Sequence, residues 1–266
     1  MKISFIGGGN MGDAIISAVL NKKLSQPQDV IASDIKEERR QYLKGKYAIA
    51  VTDDNARAIR KGDVIVLAIK PQNLAEAMSG IKGQFKPAQL VLSIIAGARI
   101  QTLRSGLEHS HIVRSMPNTP AQIGDGMTVW TATSEVTGQQ KKWAGSILGA
   151  MGKEIYMEDE KYLDMATAVS GSGPAYIFLF AEAMAGAAVQ IGLPANAAEQ
   201  MVLQTLVGSA HLLEKSGKTP AELRRMVTSP GGTTAEAIAL FEKGGFSELV
   251  AMAVNAAYEK AKKLGS

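Results

Sequence analysis

The chain has 266 residues, a formal charge of +4, 46% apolar residues and only 5% aromatic ones. That length and apolar share make one large domain or two medium ones with a sizeable core. There is no cysteine, which excludes disulfides, thiolate catalysis and thiolate metal sites, and Lys and Arg interleave with Asp and Glu, so no basic block resembles a nucleic-acid footprint.

The amino terminus, "MKISFIGGGNMG", enters a strand directly and does not read as a signal peptide. The first part then alternates short apolar runs with amphipathic ones. "KISFI", "VIAS", "DVIVLAI", "LVLSII" and "IVRSM" read as strands, and "GDAIISAVLNKKL", "KEERRQYLKGK" and "NLAEAMSGI" as helices. Such alternation predicts a parallel sheet with helices on both faces. Gly7, Gly9 and Gly12 follow the first strand in GxGxxG spacing and open the first helix. Gly7 permits the tight turn, Gly9 lets a pyrophosphate approach the backbone, and Gly12 lets helix pack on strand. The helix N-terminus then offers free N–H groups to the phosphates. The expected fold class is therefore α/β, a Rossmann-type doubly wound sheet that binds a dinucleotide.

The end of the second strand selects between nicotinamide cofactors. If Ser33 ends it, its hydroxyl and the nearby Lys36, Arg39 and Arg40 can receive a 2′-phosphate; if Asp34 ends it, the unphosphorylated cofactor is favoured. The basic residues also read as a solvated helix face. "AIKPQ", from Ala68, follows a later strand, so Lys70 can reach the cofactor while Pro71 fixes the loop. "SIIAG" from Ser93 and "MPNTP" from Met116 take equivalent places and make plausible nicotinamide walls.

Two further strands are expected near Gly126 and Lys153, with a helix between them. From Glu158 onward the β signal is gone, which divides the chain into residues 1–157 and 158–266. The second part reads as all-α, broken at "SGSGP", "GLP", "KSGKTP" and "SPGG". "PAYIFLFAEAMAGAAVQIGL", from Pro174, is near membrane-span length, but Glu182 and Gln190 interrupt it. A buried helix in a cytoplasmic protein is the expectation. The helices Pro174–Leu193 and Ala195–Leu213 are apolar over most of their circumference. A domain of roughly a hundred residues cannot bury both alone, which predicts a homodimer across a two-fold axis, able to assemble further into a ring. Gly186 would allow close helix approach. His109, His111 and His211 show no metal-ligand spacing, so no metal is expected.

"VSGSGPAY" from Val169 and "SPGGTT" from Ser229 resemble signature segments of the pyrroline-5-carboxylate reductase family. "GGGNMG", "AIKP", "SIIAG" and "MPNTPA" fit the same family in the same order, and the resemblance covers essentially the whole chain. It implies an all-α C-terminal dimerisation domain after the Rossmann domain, and reduction of the cyclic imine 1-pyrroline-5-carboxylate to L-proline, usually with NADPH. The partner would be this small molecule, with no nucleic acid and no membrane. The implied cofactor contacts fall on Ile6, Gly7, Gly8, Gly9, Asn10, Met11, Gly12, Ser33, Asn55, Ala68, Ile69, Lys70, Pro71, Ile94, Ile95 and Ala96. The implied substrate contacts fall on Gly232, Thr233 and Thr234, with Thr234 catalytic. Asp34 departs from the family's phosphate-binding position, so NADH stands as the alternative cofactor.

The resemblance also gives "SPGGTT" a reading: Pro230 stops one helix, the glycines turn the backbone, and Thr233 and Thr234 start another helix whose free N–H groups face the substrate carboxylate. The competing reading makes Ser229 or Thr233 an N-cap and the glycines a loop. A 3-hydroxyacid dehydrogenase would need a lysine in an apolar helical stripe, whereas Lys161 and Lys215 lie at helix ends. A non-catalytic NADPH sensor would have no use for a substrate segment.

Overall fold

The structure, a computed structural model, describes residues 1–265. The chain forms two compact units, Met1–Ser172 together with the segment from Ala256 onward, and Gly173–Asn255.

The first unit is built on one eight-stranded sheet in the order β3-β2-β1-β4-β5-β6-β7-β8. Its strands are β1 (Ile3–Ile6), β2 (Val30–Ser33), β3 (Ala50–Thr52), β4 (Val64–Leu67), β5 (Leu90–Ser93), β6 (Ile112–Pro117), β7 (Gly126–Ala132) and β8 (Gly152–Tyr156). All neighbours are parallel except β6 and β7. The connecting helices are α1 (Asn10–Asn21), α2 (Glu37–Tyr47), α3 (Asn55–Ile59), α4 (Leu74–Ile81), α5 (Ile100–Leu107) and α6 (Gly138–Gly149). The expected doubly wound α/β sheet is present; the three-residue β3 is the strand that apolar patterning did not reveal.

Two-residue periodicity sends side chains to opposite faces. Ile3, Phe5, Val64, Val66, Leu90 and Leu92 join Ile15, Ile16, Val19 and Ile147 in one core. Ile6, Ile65, Leu67 and Val91 join Leu74, Met78, Leu103 and Leu107 in the other. Both faces are covered, so the parallel strands are nearly all apolar. Chain order reverses at β1, with β2 on one side and β4 on the other, and that opens the crevice where such sheets take ligands.

After β8 come α7 (Lys161–Ala166), a π-helical turn (Thr167–Gly171) and α8 (Gly173–Gln190). "SGSGP" therefore does not break the helix, contrary to the sequence expectation. Pro174 has no N–H to give to the carbonyl four residues back. The backbone widens instead, and the Ser172 N–H donates to the Thr167 carbonyl, five residues away, at 2.8 Å.

The second unit holds α8, α9 (Ala195–Ser216), α10 (Pro220–Met226), α11 (Thr233–Lys243) and α12 (Phe246–Leu264), whose last residues belong to the first unit. The expected breaks at "GLP" and "KSGKTP" are real. Thr219 and Glu222 form a capping box with Pro220 in the first turn of α10. The segment Lys161–Gln190 is long and apolar enough by composition to cross a membrane. α8 has no buried residue. Ile177, Phe178 and Leu179 are 54%, 65% and 66% exposed. Within one chain α8 packs on α9, and its Phe180 ring lies 6.5 Å from that of Phe241 on α11, but much of the rest of its circumference is exposed, as expected for a helix that one chain cannot bury alone.

Candidate functional site

In the turn from β1 into α1 the chain's own atoms crowd Gly7, Gly8 and Gly12 and leave Gly9 open. Gly7 has φ of +97°, and a Cβ there would lie 2.6 Å from the Ala68 carbonyl oxygen. Only glycine fits both demands. A Cβ at Gly12 would lie 2.6 Å from the Gly7 carbonyl oxygen, so α1 starts hard against the strand. At Gly9, by contrast, an added Cβ meets nothing within 4 Å. Gly9 is also the N-cap of α1 and no side chain caps it. The first N–H groups of α1 and the positive end of its dipole therefore face an open surface, the arrangement that suits a pyrophosphate. The loop fits a dinucleotide on that ground.

Ser33 ends β2, paired with Ile6, and its side chain is fully buried. The Ser33 hydroxyl lies 2.6 Å from Asn55 Oδ1 and 3.2 Å from the Phe5 carbonyl. The structure thus brings together two candidate residues 22 positions apart in sequence. Asp34 turns inward: one oxygen accepts from the Gly8 N–H at 2.9 Å, the other from the Lys36 N–H at 2.9 Å. Arg39 lies under the glycine loop, donating to the carbonyls of Gly8 and Gly9. It also pairs with Asp13 at 3.1 Å and stacks 4.4 Å from the Tyr42 ring centre. Arg40 is held by Glu37 and by the carbonyls of Asp34 and Ile35. The Lys36 ammonium has no hydrogen-bond or ion-pair partner among the described residues.

Asp13 stands in the first turn of α1, where a carboxylate would repel a bound phosphate. Partial burial pushes its carboxyl up, but hydrogen bonds from Tyr47 and Tyr42, the charge of Lys46 and the Arg39 contact outweigh it and hold the group below the usual value. Its negative charge is spent on these neighbours.

After β4, Ala68 and Ile69 are half-buried against Gly7, while Lys70 and Pro71 are exposed. After β5, the Ile95 side chain is 2% exposed and belongs to the core, so only its backbone faces outward; Ile94 and Ala96 are half-buried. After β6, Asn118 accepts from the Met127 N–H at 2.9 Å, and Met116 reaches the π turn, where a Cβ at Gly171 would lie 3.0 Å from its Cε. Ile6, Gly7, Gly8, Gly9, Asn10, Met11 and Gly12, with these three loops, stand at the carboxyl ends of the strands.

In the second unit, α11 begins at Thr233 and its N-cap is Gly232, with no side-chain cap. Gly231 has φ of +70°, a left-handed turn that glycine adopts freely. Neither Ser229 nor Thr233 serves as a capping side chain, so the capping half of the competing reading is not met, while the glycines do form a turn before α11. The preceding helix stops at Met226, short of Pro230, and the Thr228 hydroxyl donates to the Arg224 carbonyl at 2.7 Å. The Thr234 hydroxyl is half-buried and has no partner among the described residues.

Sequence reasoning missed one cluster. Arg114 and Asp164, 4% and 6% exposed, form an ion pair at 3.1 Å. The signal was an arginine in the middle of the apolar strand "IVRSM". Among the described residues no group of His, Asp and Glu is arranged to hold a metal.

Residues 160–264 match the family model described as pyrroline-5-carboxylate reductase dimerisation, and residues 2–97 match NADP oxidoreductase, coenzyme F420-dependent. The chain is 40% identical over 264 residues to a pyrroline-5-carboxylate reductase of Pseudomonas aeruginosa, covering 99% of this chain and 96% of that one. A solved pyrroline-5-carboxylate reductase of Coxiella burnetii superposes with a TM-score of 0.92 at 36% identity, covering 100% and 98% of the two chains. A Plasmodium falciparum pyrroline carboxylate reductase, solved with NADP bound, gives a TM-score of 0.90 at 32% identity, covering 100% and 98%. With relatives this similar along both chains from end to end, and with the glycine loop and the uncapped start of α11 both in place, the chain belongs to the pyrroline-5-carboxylate reductase family.

Proposed function

We propose that this chain reduces 1-pyrroline-5-carboxylate to L-proline with NAD(P)H, and that the open N-terminus of α11 carries the substrate. The family match over the whole chain supports the reaction. The single structural observation behind the substrate site is that α11 starts on Pro-Gly-Gly with no capping side chain.

Residues 1–157 hold the dinucleotide and residues 158–266 hold the imine and a second copy of the chain. The bound nicotinamide supplies the hydride. The protein's own tasks are to place the imine carbon, hold the carboxylate and deliver a proton to the ring nitrogen. The amides of Gly232 and Thr233 take the carboxylate, helped by the positive end of the α11 dipole. The Thr234 hydroxyl donates to the ring nitrogen as the imine becomes an amine. Hydride at carbon and proton at nitrogen complete the reduction, and neither a metal nor a protein nucleophile takes part.

Within the glycine loop, the amides of Asn10, Met11 and Gly12 bind the pyrophosphate. Ile6, Gly7 and Gly8, with Ala68, Ile69, Lys70 and Pro71, shape the floor, and Ile94, Ile95 and Ala96 form the wall beside the nicotinamide. Ser33 and Asn55 support the adenosine end. NADPH is the preferred cofactor: Asp34 gives both oxygens to backbone amides, and Lys36 keeps an uncommitted charge for a 2′-phosphate. The enzyme is a homo-oligomer. Its dimer pairs the exposed faces of α8 and α9, further assembly yields a ring, and it works in the cytoplasm without membrane or nucleic-acid partners.

The test is direct. Mixing the protein with NADPH and 1-pyrroline-5-carboxylate should lower nicotinamide absorbance and yield proline. Cofactor binding without turnover would instead identify a sensor.

A further inference from the structure

Four charged side chains meet where the first unit begins and ends its helical connections. Arg114, on β6, is 4% exposed. It lies 2.7 Å from Glu160 Oε1, at the start of α7, and 3.1 Å from Asp164 Oδ1, one turn further on. The second Asp164 oxygen lies 3.7 Å from the Arg99 guanidinium. Arg99 also donates to the Lys262 carbonyl at 3.4 Å, in the last turn of α12. Glu160 accepts a further hydrogen bond from the Ile100 N–H at 2.8 Å.

The network encloses one loop. Residues 94–99 join β5 to α5 and carry all of the "SIIAG" segment after Ser93. Its far end is tied at Arg99 and Ile100 by the contacts above. Its middle is pressed by the end of α12, since a Cβ at Gly97 would lie 2.8 Å from the Leu264 carbonyl oxygen. Arg99 is itself closely packed: a Cβ at Gly265 would lie 2.6 Å from its Nε.

Stability alone does not account for such a cluster. Buried ion pairs repay their desolvation poorly, and apolar residues of similar volume often do as well. What the cluster supplies is direction, because a guanidinium fork accepts carboxylates in a narrow range of geometries.

We propose that Arg114, Asp164 and Arg99 are positioning residues for hydride transfer: they lock the start of α7 and the end of α12 onto the 94–99 loop and so set where that loop holds the nicotinamide. This rests on the reading of Ile94–Ala96 as the nicotinamide wall. None of the network's side chains belongs to the glycine loop or to the start of α11. Its loss should therefore misplace the ring without weakening the grip on the rest of the cofactor.

Asp164→Asn in the full-length enzyme tests this, since it is nearly isosteric and removes one charge. Turnover should fall about tenfold or more, as a small misplacement of reacting atoms does. The primary isotope effect with 4-deuterated NADPH should rise, because hydride transfer becomes slower than release. The NADPH dissociation constant, titrated by fluorescence, should stay within about threefold, its main contacts lying at the glycine loop. A lower melting temperature with unchanged kcat and isotope effect would overturn the proposal. Should Asp164→Asn fail to fold, Arg99→Met, at a side chain 42% exposed, takes its place. It should shift kcat and isotope effect the same way, and an unchanged pair would overturn the proposal equally. Ala96→Phe separates the two levels. If it leaves NADPH affinity and kcat untouched, the wall reading falls and the proposal with it. If it impairs them while Asp164→Asn alters only the melting temperature, the positioning role alone falls.

Discussion

The Gly8 amide donates to a carboxylate oxygen of Asp34 across 2.9 Å, so the residue after β2 is stitched to the glycine loop after β1. A carboxylate at the end of a second strand ordinarily meets the adenine ribose. Here its two oxygens each already accept from a backbone N–H. That arrangement gives the loop a rigid edge and lowers the avidity of Asp34 for a further donor.

Cofactor choice should then rest on Lys36. We expect a higher kcat/KM with NADPH than with NADH. Lys36→Ala should cost about 1.5–3 kcal/mol of NADPH binding, the worth of one charge-assisted contact, and leave NADH nearly unaffected. Steady-state kinetics with both cofactors decide the matter; an equal loss for the two would show that Lys36 does not read the 2′-phosphate.

Thr234→Ala should lower kcat by roughly 10²–10⁴-fold, the range for loss of a general acid. Because the N-cap of α11 is Gly232 and no side chain caps it, the substitution should leave the melting temperature nearly unchanged. A variant as active as the parent would leave only the Gly232 and Thr233 amides as the substrate site.

Assembly should depend on α8. Phe178→Glu, at a position 65% exposed on one chain, should convert the dimer to monomer and expose apolar surface prone to aggregation. Mass photometry or light scattering in dilute solution reads this. A stable, folded monomer of the unsubstituted protein would sink the dimer.

Acid should loosen the first unit through His109. Burial lowers its pKa from the ordinary 6.5, and repulsion from His111 adds to that, while the hydrogen bond with the Gln89 carbonyl opposes it. The folded state therefore keeps His109 neutral at a pH where the unfolded chain binds a proton. Stability is fully present above about pH 6.5 and declines as pH falls through that value toward the lower folded pKa. His109→Gln should flatten this slope in thermal melts between about pH 5 and 7. An unchanged slope would exclude His109 as its source.

Much of the first unit was legible along the chain. Continuous apolar runs such as "VIVL" mark strands buried on both faces, and the glycine spacing after β1 marks the phosphate turn. β3 escaped because three residues, one exposed, one half-buried and one buried, carry no pattern. "SGSGP" misled because glycine and proline usually end helices, whereas here a π turn absorbs the proline. "SPGGTT" was legible only through family resemblance; its geometry then removed the capping alternative.

Local chemistry thus determined what is local: strand and helix type, the φ demanded of Gly7, the helix start after Gly232, and through its motifs the family. The tertiary structure alone decided which distant groups meet. Ser33 meets Asn55 and Asp34 meets Gly8 because parallel crossovers bring the carboxyl ends of neighbouring strands to one edge, and Arg114 on β6 meets Asp164, 50 positions away, because α7 packs against the antiparallel β6–β7 pair. No periodicity encodes such pairings. They follow from the order of strands in the sheet, which is set by how every helix covers its faces at once.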